Sequence, residues 1–475
     1  RNWKCLRVLD LGRIVVQSLP SELVTLLHLR YLDLSYNSEL KLLPNSFSKL
    51  VKLQTLRLQQ CSSLNKLPED LPELAKLRVL DIKCCWALTS MPTGMGKLTD
   101  LNKMPLFVAG DKFADSERSI VYQMEELKAL TNLKGSLRIE IRENAKYAKA
   151  DVKEGGYVKN KQHLNCLDLQ FFGNGFSKMT KDEEGLLLED LQPPCNLREF
   201  TLWDYGGMSM PSWAKEVDLA TFPPNLVKLK LVLCSGWQHL PSLRKLRNLK
   251  SLEVWHLDDL EYIENKSSKA IISDGVSASD LIALFPPLQE LALGGLDKLK
   301  GWWRDDDDII DCDINEGQQH LLTSFPSLSK LTMQECPNFT CVITCPNVER
   351  VELTGTLSEK LTIMIPIESG NPKSRSVRIP ALQNLKSILP TKAFQCVPEM
   401  SLQFDIETES LSEVEEVFRS CSSLRKLWIR DFEKLKSVSG GLEYLTALED
   451  LSLESLPSLS LGKAGEGEGE GEGEG

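Results

Sequence analysis

The stretch at residues 29–34, LRYLDL, decides the fold, because close copies of it recur along the chain at a regular interval. Copies begin at Leu6 (LRVLDL), Leu53 (LQTLRL) and Leu77 (LRVLDI), which makes the successive spacings 23, 24 and 24 residues. Within each copy apolar and polar residues alternate, and this alternation predicts a short strand with one buried face. A single strand cannot bury that face alone, so the copies are expected to stack as successive coils around an apolar spine.

The same pattern continues over most of the chain. Further copies begin at Leu101, Leu164, Leu197, Leu226, Leu249, Leu288, Leu328, Val348, Leu424 and Leu448. The pattern L-x-x-L-x-L-x-x-N/C, with a period of about 20–29 residues, is that of leucine-rich repeats. We therefore predict an α/β repeat solenoid, a leucine-rich-repeat horseshoe of about 16–17 coils, with a parallel concave β-sheet and an irregular or 3₁₀ convex side.

The ninth position of the copies supports this register. Asn37 occupies it in the second copy, and Cys61, Cys85, Cys234 and Cys336 occupy it in others. The chain turns inward at this position, so a small side chain must lie among unpaired backbone groups. We therefore predict buried turn residues here rather than redox cysteines.

The segment MPTGMGKLTDL at residues 91–101 resembles a nucleotide-binding loop at first sight. A phosphate loop has the pattern Gly-x-x-x-x-Gly-Lys-Ser/Thr between a strand and a helix. Met91 stands where the first glycine of that pattern would precede Gly96, and Leu98 follows Lys97 in place of Ser or Thr. Met91-Pro92 instead matches the Leu-Pro turns of the other regular copies, at Leu19, Leu43, Leu67 and Leu240. The segment is therefore predicted to be a repeat turn.

The composition argues against several functional classes. The 475-residue chain has 56 Lys and Arg against 67 Asp and Glu, a formal charge of −11, so it has no electrostatic reason to bind nucleic acid. No apolar run could span a bilayer and no signal peptide is visible, although the chain begins with Arg rather than Met. No Gly-x-Ser-x-Gly motif or zinc-binding pair is present, so we expect no enzyme, no catalytic residues and no metal.

The cysteines agree with that expectation. Cys336, Cys341 and Cys345 lie close together in sequence, but no histidine or second matching pair accompanies them, so zinc is not predicted. Thirteen cysteines, an odd number, are spread over a long chain, which favours a reducing compartment over a disulfide framework.

Departures from the period divide the chain into parts. We predict regular N-terminal leucine-rich repeats at residues 1–105, irregular repeats with a helical insert at 106–163, longer irregular leucine-rich repeats with loop insertions at 164–461, and a disordered Gly/Glu tail at 462–475. Residues 119–133 are predicted as a short helix and 143–163 as a polar helix-and-loop insert. Degenerate repeats are expected at 358–398, followed by a strand in EMSLQFDI at 399–406.

Two further expectations concern the loops and the first coil. The acidic run DDDDIIDCD at residues 305–313 lacks the glycine and closing glutamate of a calcium loop, so we expect a solvated loop. The first coil begins almost at residue 1 without a polar cap, so an upstream segment is expected to cover its apolar end.

Longer strings in the repeats are more specific than the general pattern. They include HLRYLDLSYN at residues 28–37, LRVLDIKCCWALTSMPTGMGKLTDLNKMPLFVAG at 77–110, LQPPCNLREFTLWDYGGMSMPSW at 191–213 and FPSLSKLTMQECPNF at 325–339. These strings resemble the leucine-rich-repeat domain of plant intracellular nucleotide-binding disease resistance proteins of the coiled-coil class. The resemblance covers nearly the whole chain apart from residues 358–398 and the tail.

This resemblance implies a function and a set of partners. In such receptors ADP or ATP is bound by a domain upstream of the repeats, so no cofactor is expected in this chain. The first coils would pack on the receptor's own nucleotide-binding domain and hold it inactive, and the later coils would recognise a pathogen effector or a guarded host protein. The resemblance thus implies a cytoplasmic, non-catalytic recognition and autoinhibitory domain of an innate immune receptor.

The third, fifth and seventh residues of each copy face the open side of the predicted sheet, so their identity indicates what that side binds. At these positions two tryptophans stand two coils apart with two lysines on the coil between them, and a later coil carries Lys, Trp and Arg. Exposed Trp and Arg dominate protein-binding hot spots; the alternative is that the aromatics pack under neighbouring loops. The predicted protein-binding residues are Trp203, Lys228, Lys230, Trp255, Lys426, Trp428 and Arg430.

The early coils carry a second set of outward residues, with aspartate at the fifth position of three coils. We expect this surface to contact a basic face of the receptor's nucleotide-binding domain. The residues of this set are Asp10, Tyr31, Asp33, Arg57, Asp81 and Lys83.

Two other functional classes remain open from the sequence. One is the substrate-recognition domain of an F-box ubiquitin-ligase adaptor, which would carry an F-box upstream. The other is an extracellular leucine-rich-repeat receptor or inhibitor, which would have capping cysteines and many glycosylation sites. Only Asn265 and Asn338 fit the Asn-x-Ser/Thr pattern. The sequence before Arg1 would discriminate between the three classes.

Overall fold

The computed structural model divides the chain into two compact units, Arg1–Asp313 and Ile314–Gly475. The acidic run at 305–313, the tail from 461 and most of residues 366–396 lie outside the described residues. The structure describes residues 3, 5–110, 120–142, 145–148, 155–172, 179–208, 210–214, 223–240, 243, 246–264, 287–303, 324–365, 376–379, 388–389, 394–395, 397–403, 408–438 and 441–460.

The first unit is built on short parallel strands. They are β1 (Val8–Asp10), β2 (Tyr31–Asp33), β3 (Thr55–Arg57), β4 (Val79–Asp81), β5 (Leu106–Ala109), β6 (Lys134–Ile141), β7 (His163–Phe171), β8 (Glu199–Trp203), β9 (Lys228–Val232), β10 (Ser251–Trp255), β11 (Tyr262–Glu264), β12 (Glu290–Gly294) and β13 (Gly301–Trp303). Strands β1–β4 form one sheet in chain order, β5–β10 and β12 follow one another in a second sheet, and β11 pairs with β13.

Each strand pairs in register with the strand of the next coil. Leu56 on β3 lies beside Leu32 on β2 and Leu80 on β4, and all three side chains are completely buried. Successive residues of a strand point to opposite faces, so these fourth-position leucines stack into the apolar spine while their neighbours point outward. The predicted leucine-rich-repeat fold with parallel strands is confirmed.

The two sheets of the first unit are interrupted at Pro105. By analogy with β1–β4, the 24-residue period predicts a strand at residues 103–105. The structure instead has an isolated bridge between Val79 and Lys103, and β5 begins only at Leu106. Proline has no N–H and cannot donate to the carbonyl of the preceding coil. The coil that begins at Leu101 was predicted to be regular. This prediction is wrong for the strand, which begins at Leu106 rather than at residue 103.

Short helical turns connect the strands of the first unit. The 3₁₀ turns are Ser21–Thr25, Phe47–Lys49, Leu71–Glu73, Met95–Lys97 and Ser212–Ala214, and the first four follow the predicted Leu-Pro or Met-Pro turns. Helix α1 (Val121–Ala129) confirms the short helix predicted at residues 119–133.

Helix α2 (Lys181–Asp190) was not predicted from the sequence. The Thr180 side chain accepts from the Glu183 N–H, and the Glu183 side chain accepts from the Thr180 N–H. This reciprocal capping box satisfies two donors at the start of the helix. The Thr-x-x-Glu spacing was the signal that could have identified the helix.

The predicted polar insert at residues 143–163 contains two buried tyrosines. Tyr147 Oη donates to Asp190 Oδ2 at 2.6 Å and lies 3.3 Å from Tyr157 Oη. The described residues 145–148 and 155–162 form no helix, so the predicted helix is absent from this part. The two aromatic rings instead attach the segment to the last residue of α2.

The second unit repeats the same construction. Its strands are β14 (Lys330–Cys336), β15 (Val342–Thr344), β16 (Arg350–Leu357), β17 (Thr362–Met364), β18 (Ser376–Ile379), β19 (Glu399–Gln403), β20 (Lys426–Arg430) and β21 (Asp450–Glu454). Strands β14, β16 and β18–β21 pair in that order in parallel, and β15 pairs with β17. The 3₁₀ turns Leu411–Val414 and Leu442–Tyr444 and helix α3 (Glu415–Ser420) lie between strands. The strand predicted in EMSLQFDI is confirmed by β19.

Candidate protein-binding surface

Trp203 and Trp255 occupy matching places on the two strands that flank β9. Both lie in register with Val232, so the three side chains form a row across the sheet. The preceding residues, Leu202 and Val254, are completely buried, whereas both indoles are half-buried. Because neighbouring side chains of a strand point to opposite faces, the tryptophans stand on the outer face of the sheet, where the sequence places them.

A charged network lies beside this tryptophan row. Glu253 Oε1 is 2.5 Å from Lys228 Nζ, and Glu253 Oε2 is 2.9 Å from Lys230 Nζ. Lys230 Nζ also lies 5.4 Å from the centre of the Trp203 ring, within the range of a cation–π contact. The two lysines are therefore engaged within the sheet, and the surface offers aromatic area rather than free positive charge. Glu253, which holds both lysines, was missed in the sequence.

The ionised form of Glu253 keeps this network intact. Burial alone would raise the pKa of Glu253, but hydrogen bonds from Lys228 and Lys230 outweigh burial and hold that pKa below its ordinary value. A carboxylate with a lowered pKa contributes stability at neutral pH that is lost only as the pH falls through the folded-state pKa. The network therefore stays charged at neutral pH.

Strand β20 presents the remaining residues of the predicted protein-binding set, within the second unit. Lys426, Trp428 and Arg430 alternate along it, and all three are half-buried. Lys426 Nζ lies 3.6 Å from Glu399 Oε1 on β19. Trp428 lies in register with serines on both neighbouring strands, and such small side chains leave room beside the indole. The structure thus brings these three residues together on one outer face.

The N-terminal set lies on the four-stranded sheet of the first unit. Arg57 Nη1 is 3.1 Å from Asp33 Oδ2, and Tyr31 Oη donates to the same oxygen at 3.0 Å. Asp81 Oδ2 lies 3.1 Å from Lys103 Nζ, a partner that was missed in the sequence. Burial would raise the pKa of Asp33, but hydrogen bonds from Ser35 and Tyr31 together with Arg57 outweigh it and lower that pKa. The structure thus brings Tyr31, Asp33 and Arg57 together, whereas Asp81 pairs with Lys103.

The three aspartates of this set share a local role. Asp10, Asp33 and Asp81 each accept a hydrogen bond from the backbone N–H two residues later, at 2.9, 2.8 and 3.5 Å. Asp33 and Asp81 are only 6% and 4% exposed, whereas Asp10 and Lys83 are exposed. Neighbouring coils therefore enclose two of the aspartates that the sequence places on the open face, and only Asp10 is open to a partner.

The glycine segment at residues 91–101 binds a carboxylate of its own chain. Gly94 N and Met95 N donate to the two carboxylate oxygens of Glu126 on α1, at 2.6 and 3.0 Å. Lys97 Nζ lies 2.7 Å from Glu73 Oε1. The donors that suggested a phosphate loop therefore dock α1 on the repeat turn, in agreement with the prediction of a turn.

The ninth-position side chains form a buried ladder between coils. Asn37 Nδ2 donates to two main-chain carbonyls at 2.9 and 2.8 Å, and Cys61 and Cys85 each donate through Sγ to a carbonyl of the preceding coil at 3.1 Å. Cys234 and Cys336 are buried as well. Burial raises the pKa of Cys61 to about 11 and that of Cys85 to about 12, so both thiols are protonated. The prediction of buried turn residues is confirmed.

A second ladder, at the eighth position of the copies, was missed in the sequence. The backbone is left-handed there in the first four coils, with φ of 62° at Arg13, 63° at Tyr36, 60° at Gln60 and 61° at Cys84. The Arg13 guanidinium lies 4.6 Å from the centre of the Tyr36 ring, so side chains of this ladder touch between coils. The later eighth-position residues with positive φ are Asp204, Leu233, His256, Gly295, Glu335, Gly355, Asp431 and Ser455. Gly295 and Gly355, the two glycines among these residues, were the signal in the sequence that could have indicated a left-handed backbone at this position.

Two other kinds of site, a metal site and a membrane span, are considered for the residues that the structure describes. Within them, no group of three or more His, Cys, Asp or Glu side chains is placed to hold a metal ion. Cys336, Cys341 and Cys345 are all buried. In the same part of the chain, no helix has the length and apolar character needed to cross a membrane.

Comparisons with known proteins identify proteins with similar sequences. The model of the family described as R13L1/DRL21 LRRs matches residues 124–257. The putative disease resistance protein RGA1 of Solanum bulbocastanum is 34% identical over 445 residues, covering 93% of this chain and 38% of that protein. Disease resistance protein RGA2 of the same species is 31% identical over 245 residues, covering 51% of this chain and 22% of that protein. The chain thus spans well under half the length of these curated relatives.

One solved structure is also similar in its repeats. A leucine-rich-repeat protein of Leptospira interrogans covers 94% of this chain and 84% of its own, at 17% identity and a TM-score of 0.45.

Proposed function

We propose, on the premise that this chain carries leucine-rich repeats of the plant disease-resistance type, that it recognises other proteins through the outer faces of its parallel sheets. The predicted resemblance to the repeats of these resistance proteins is confirmed. The recognised protein, in this proposal, is a pathogen effector or a host protein that the effector alters. The chain would act by binding rather than by catalysis, inside the cell, in a receptor whose nucleotide is bound by another domain.

The tryptophan row is the observation that carries this proposal. Trp203 and Trp255 stand half-exposed in register on the outer face, and Lys230 is held against Trp203 by Glu253. Rigid, partly exposed aromatic side chains supply large contact area at a low entropy cost, which is why they dominate protein-binding hot spots. Lys230 adds a polar edge beside the Trp203 indole. Because Lys230 is already paired with Glu253, no unpaired charge would have to lose its water when a partner binds.

A pull-down from infected plant tissue tests recognition. Trp203→Ala, Trp255→Ala and Trp428→Ala are each expected to reduce capture of the specific partner at least tenfold, because each removes a hot-spot side chain. Tyr122→Ala, which removes a 60% exposed ring on α1 away from the strands, is the matched control and should capture normally. Unchanged capture by all three tryptophan variants would contradict the proposal.

The N-terminal surface is proposed to restrain the receptor by contact with its nucleotide-binding domain. Because Asp33 and Asp81 are enclosed by Arg57 and Lys103, reversing their charge would first disturb the sheet. Asp10 is exposed and has no ion-pair partner among the described residues, so it reports on an external contact more cleanly.

A leaf cell-death assay with the full receptor tests this restraint. Asp10→Lys is expected to cause cell death without a pathogen, because it would place like charges together at the proposed contact. Asp10→Asn, which keeps an oxygen acceptor for the Gly12 N–H, should have a weaker effect. Normal restraint by the Asp10→Lys receptor, at equal protein level, would rule the contact out.

A further inference from the structure

The tryptophan row of the first unit belongs to a longer row without charged side chains. Trp203, Val232 and Trp255 occupy the outward seventh position of β8, β9 and β10, and Gln170 on β7 and Gly294 on β12 lie in register beside them. None of these five residues carries a charge. Gly294 has no side chain, so no side chain from this position of β12 stands beside Trp255. The row therefore presents two large aromatic side chains in a neutral setting.

The charged side chains at the neighbouring fifth position are paired with one another. Lys230 lies 2.9 Å from Glu253, which also holds Lys228, and Asp168 lies 2.8 Å from Arg138 on β6. The third-position glutamates of β8 and β12 are four residues away from the row, about 13 Å along an extended strand. A charged ligand would compete with these pairs and would lose its own water at a neutral row, so an uncharged ligand fits the row better.

The eighth position adds an apolar side chain beside the row. Leu233, which follows Val232, is 43% exposed. Asp204 and His256 follow the two tryptophans and flank Leu233 in the eighth-position ladder. Apolar contact area therefore continues from the two indoles to Leu233, and Asp204 places a negative charge that would repel an acidic ligand.

Both indole N–H groups of the row can still donate a hydrogen bond. Trp213 Nε1, by contrast, donates to the Leu188 carbonyl at 3.0 Å. Neither Trp203 nor Trp255 donates through its indole to any residue that the structure describes. A Trp N–H needs an acceptor once it is enclosed, so a ligand that covers the row should bring carbonyl oxygens. A helix uses its carbonyls internally, whereas a polyproline II segment has no internal hydrogen bonds.

The spacing of the two tryptophans fits the same conformation. Because β9 lies between β8 and β10, Trp203 and Trp255 stand two strand spacings apart at the backbone, about 9.4–9.8 Å. In polyproline II every third residue returns to the same face after about 9.3 Å. In an extended strand the residues of one face recur at about 6.6–6.8 Å and then about 13 Å, and neither distance matches.

We propose that the tryptophan row binds a proline-rich segment of a partner protein in the polyproline II conformation, with two prolines three residues apart. One proline ring packs on each indole, and the residues between the prolines lie over Val232 and Leu233. Aromatic surfaces recognise such segments well, because the conformation is formed before binding and little entropy is lost. This inference rests on the proposed protein-recognition function and names the chemistry of the partner segment.

Two dye-labelled peptides of equal composition test the spacing by fluorescence anisotropy with the full chain. Acetyl-Ala-Pro-Ala-Ala-Pro-Ala, with prolines three residues apart, is expected to bind. Acetyl-Ala-Pro-Ala-Pro-Ala-Ala should bind about tenfold more weakly or worse, because one proline ring then misses its indole.

Variants of the chain locate the binding. Trp203→Ala and Trp255→Ala should each weaken binding of the first peptide about tenfold or more. Leu233→Asn changes an exposed side chain to one that tolerates the left-handed backbone, and it should weaken binding by about threefold without unfolding the coil. Trp428→Ala is the matched control, because serines rather than a second tryptophan row flank that ring, and it should bind normally.

Nuclear magnetic resonance of the chain with isotope-labelled tryptophan supplies the second readout. Bound peptide should shift the indole N–H signals of Trp203 and Trp255, which gain carbonyl acceptors, and leave that of Trp86, 61% exposed on another coil, unchanged. Absent binding, equal binding of the two peptides, or unchanged indole signals would each overturn the proposal.

The peptide and pull-down results together separate this inference from the proposed function. If the tryptophan variants lose partner capture but the wild-type chain binds neither peptide, protein recognition stands and the proline-rich ligand is ruled out. If the first peptide binds as expected but the same variants capture the partner normally, the proline-binding row is supported and its role in capturing that partner fails.

Discussion

At the scale of single residues, the buried side chain of Asn37 shows how the backbone can satisfy a polar group inside the coils. Asn37 is completely buried and makes three bonds to the backbone: Nδ2 donates to Leu11 O of the preceding coil and to Leu34 O of its own coil, and Oδ1 accepts from Val16 N of the preceding coil. Lys161 is a different case, since the acceptors of its Nζ among the described residues are the Asn160 Oδ1 at 3.2 Å and the Lys128 carbonyl at 3.5 Å. Burial lowers the pKa of Lys161 to about 7.

Lys161 should make stability depend on pH. The unfolded lysine titrates near 10.5, so between about pH 7 and 10.5 the unfolded chain binds more protons than the folded chain. The free energy of unfolding should therefore rise with pH in this window, by up to about 1.4 kcal/mol per pH unit from this group. Urea unfolding of wild type and Lys161→Met at pH 7, 8 and 9 measures this effect. The free energy of unfolding of the wild type should rise relative to that of Lys161→Met as the pH rises. A constant difference would contradict the assignment.

Asn37 should matter more than the cysteine at the same position of the next coil. Asn37→Ala removes bonds of 2.8, 2.9 and 3.2 Å and leaves buried groups unpaired, which we expect to cost about 2–4 kcal/mol. Cys61→Ala removes one weak S–H bond and should cost about 1 kcal/mol. Chemical denaturation of both variants measures the order, and equal losses would show that the ladder bonds carry little stability.

At the scale of elements, most copies of the repeat have a left-handed residue at the eighth position. This conformation costs an ordinary residue about 1–2 kcal/mol, and glycine adopts it freely. Most coils nevertheless carry a non-glycine residue there, because the following ninth-position side chain must turn inward to reach its carbonyl partners. The packing of the coils therefore overrides the local preference of the residue.

Substitutions at the eighth position should act in opposite directions. Gly295→Ala would place a Cβ 2.1 Å from His256 Nδ1 at a φ of 61°, so we expect a loss of more than about 1 kcal/mol. Gln60→Gly relieves a φ of 60° and should be neutral or stabilising by up to about 1 kcal/mol. Thermal unfolding of the two variants checks the signs, and a stabilised Gly295→Ala chain would refute the left-handed ladder.

At the scale of the whole molecule, each described unit uses the two faces of its parallel strands for different purposes. In the first unit the inner face holds leucines such as Leu229, which is 2% exposed, while the outer face carries the half-exposed tryptophan row. Stability and the proposed recognition thus fall on alternate residues of the same strands, so the outer residues can vary without loss of the core.

This division should separate the effects of two neighbouring substitutions. Leu229→Ala leaves a cavity in the spine and should destabilise the chain by about 2–5 kcal/mol. Trp255→Ala, on the adjacent strand but the opposite face, should change the unfolding temperature by only a few degrees while reducing partner capture. Thermal scans of both proteins measure the contrast, and a larger loss in Trp255→Ala would place that ring in the core.

The sequence by itself determined the repeat period, the parallel strands, the inward leucines and the buried ninth-position ladder, because these follow from the spacing and alternation of nearby residues. The same reasoning placed the seven predicted binding residues on outer strand positions. Only the tertiary structure decided which of those residues form ion pairs with a neighbouring strand, as Lys228, Lys230 and Lys426 do. The pairs Tyr147–Asp190, 43 residues apart, and Arg142 with the Leu88 carbonyl, 54 apart, arise from the stacking of coils, as do the Glu126 contacts with Gly94. Such contacts depend on how far each coil is shifted against the next, and one proline at residue 105 changes that shift.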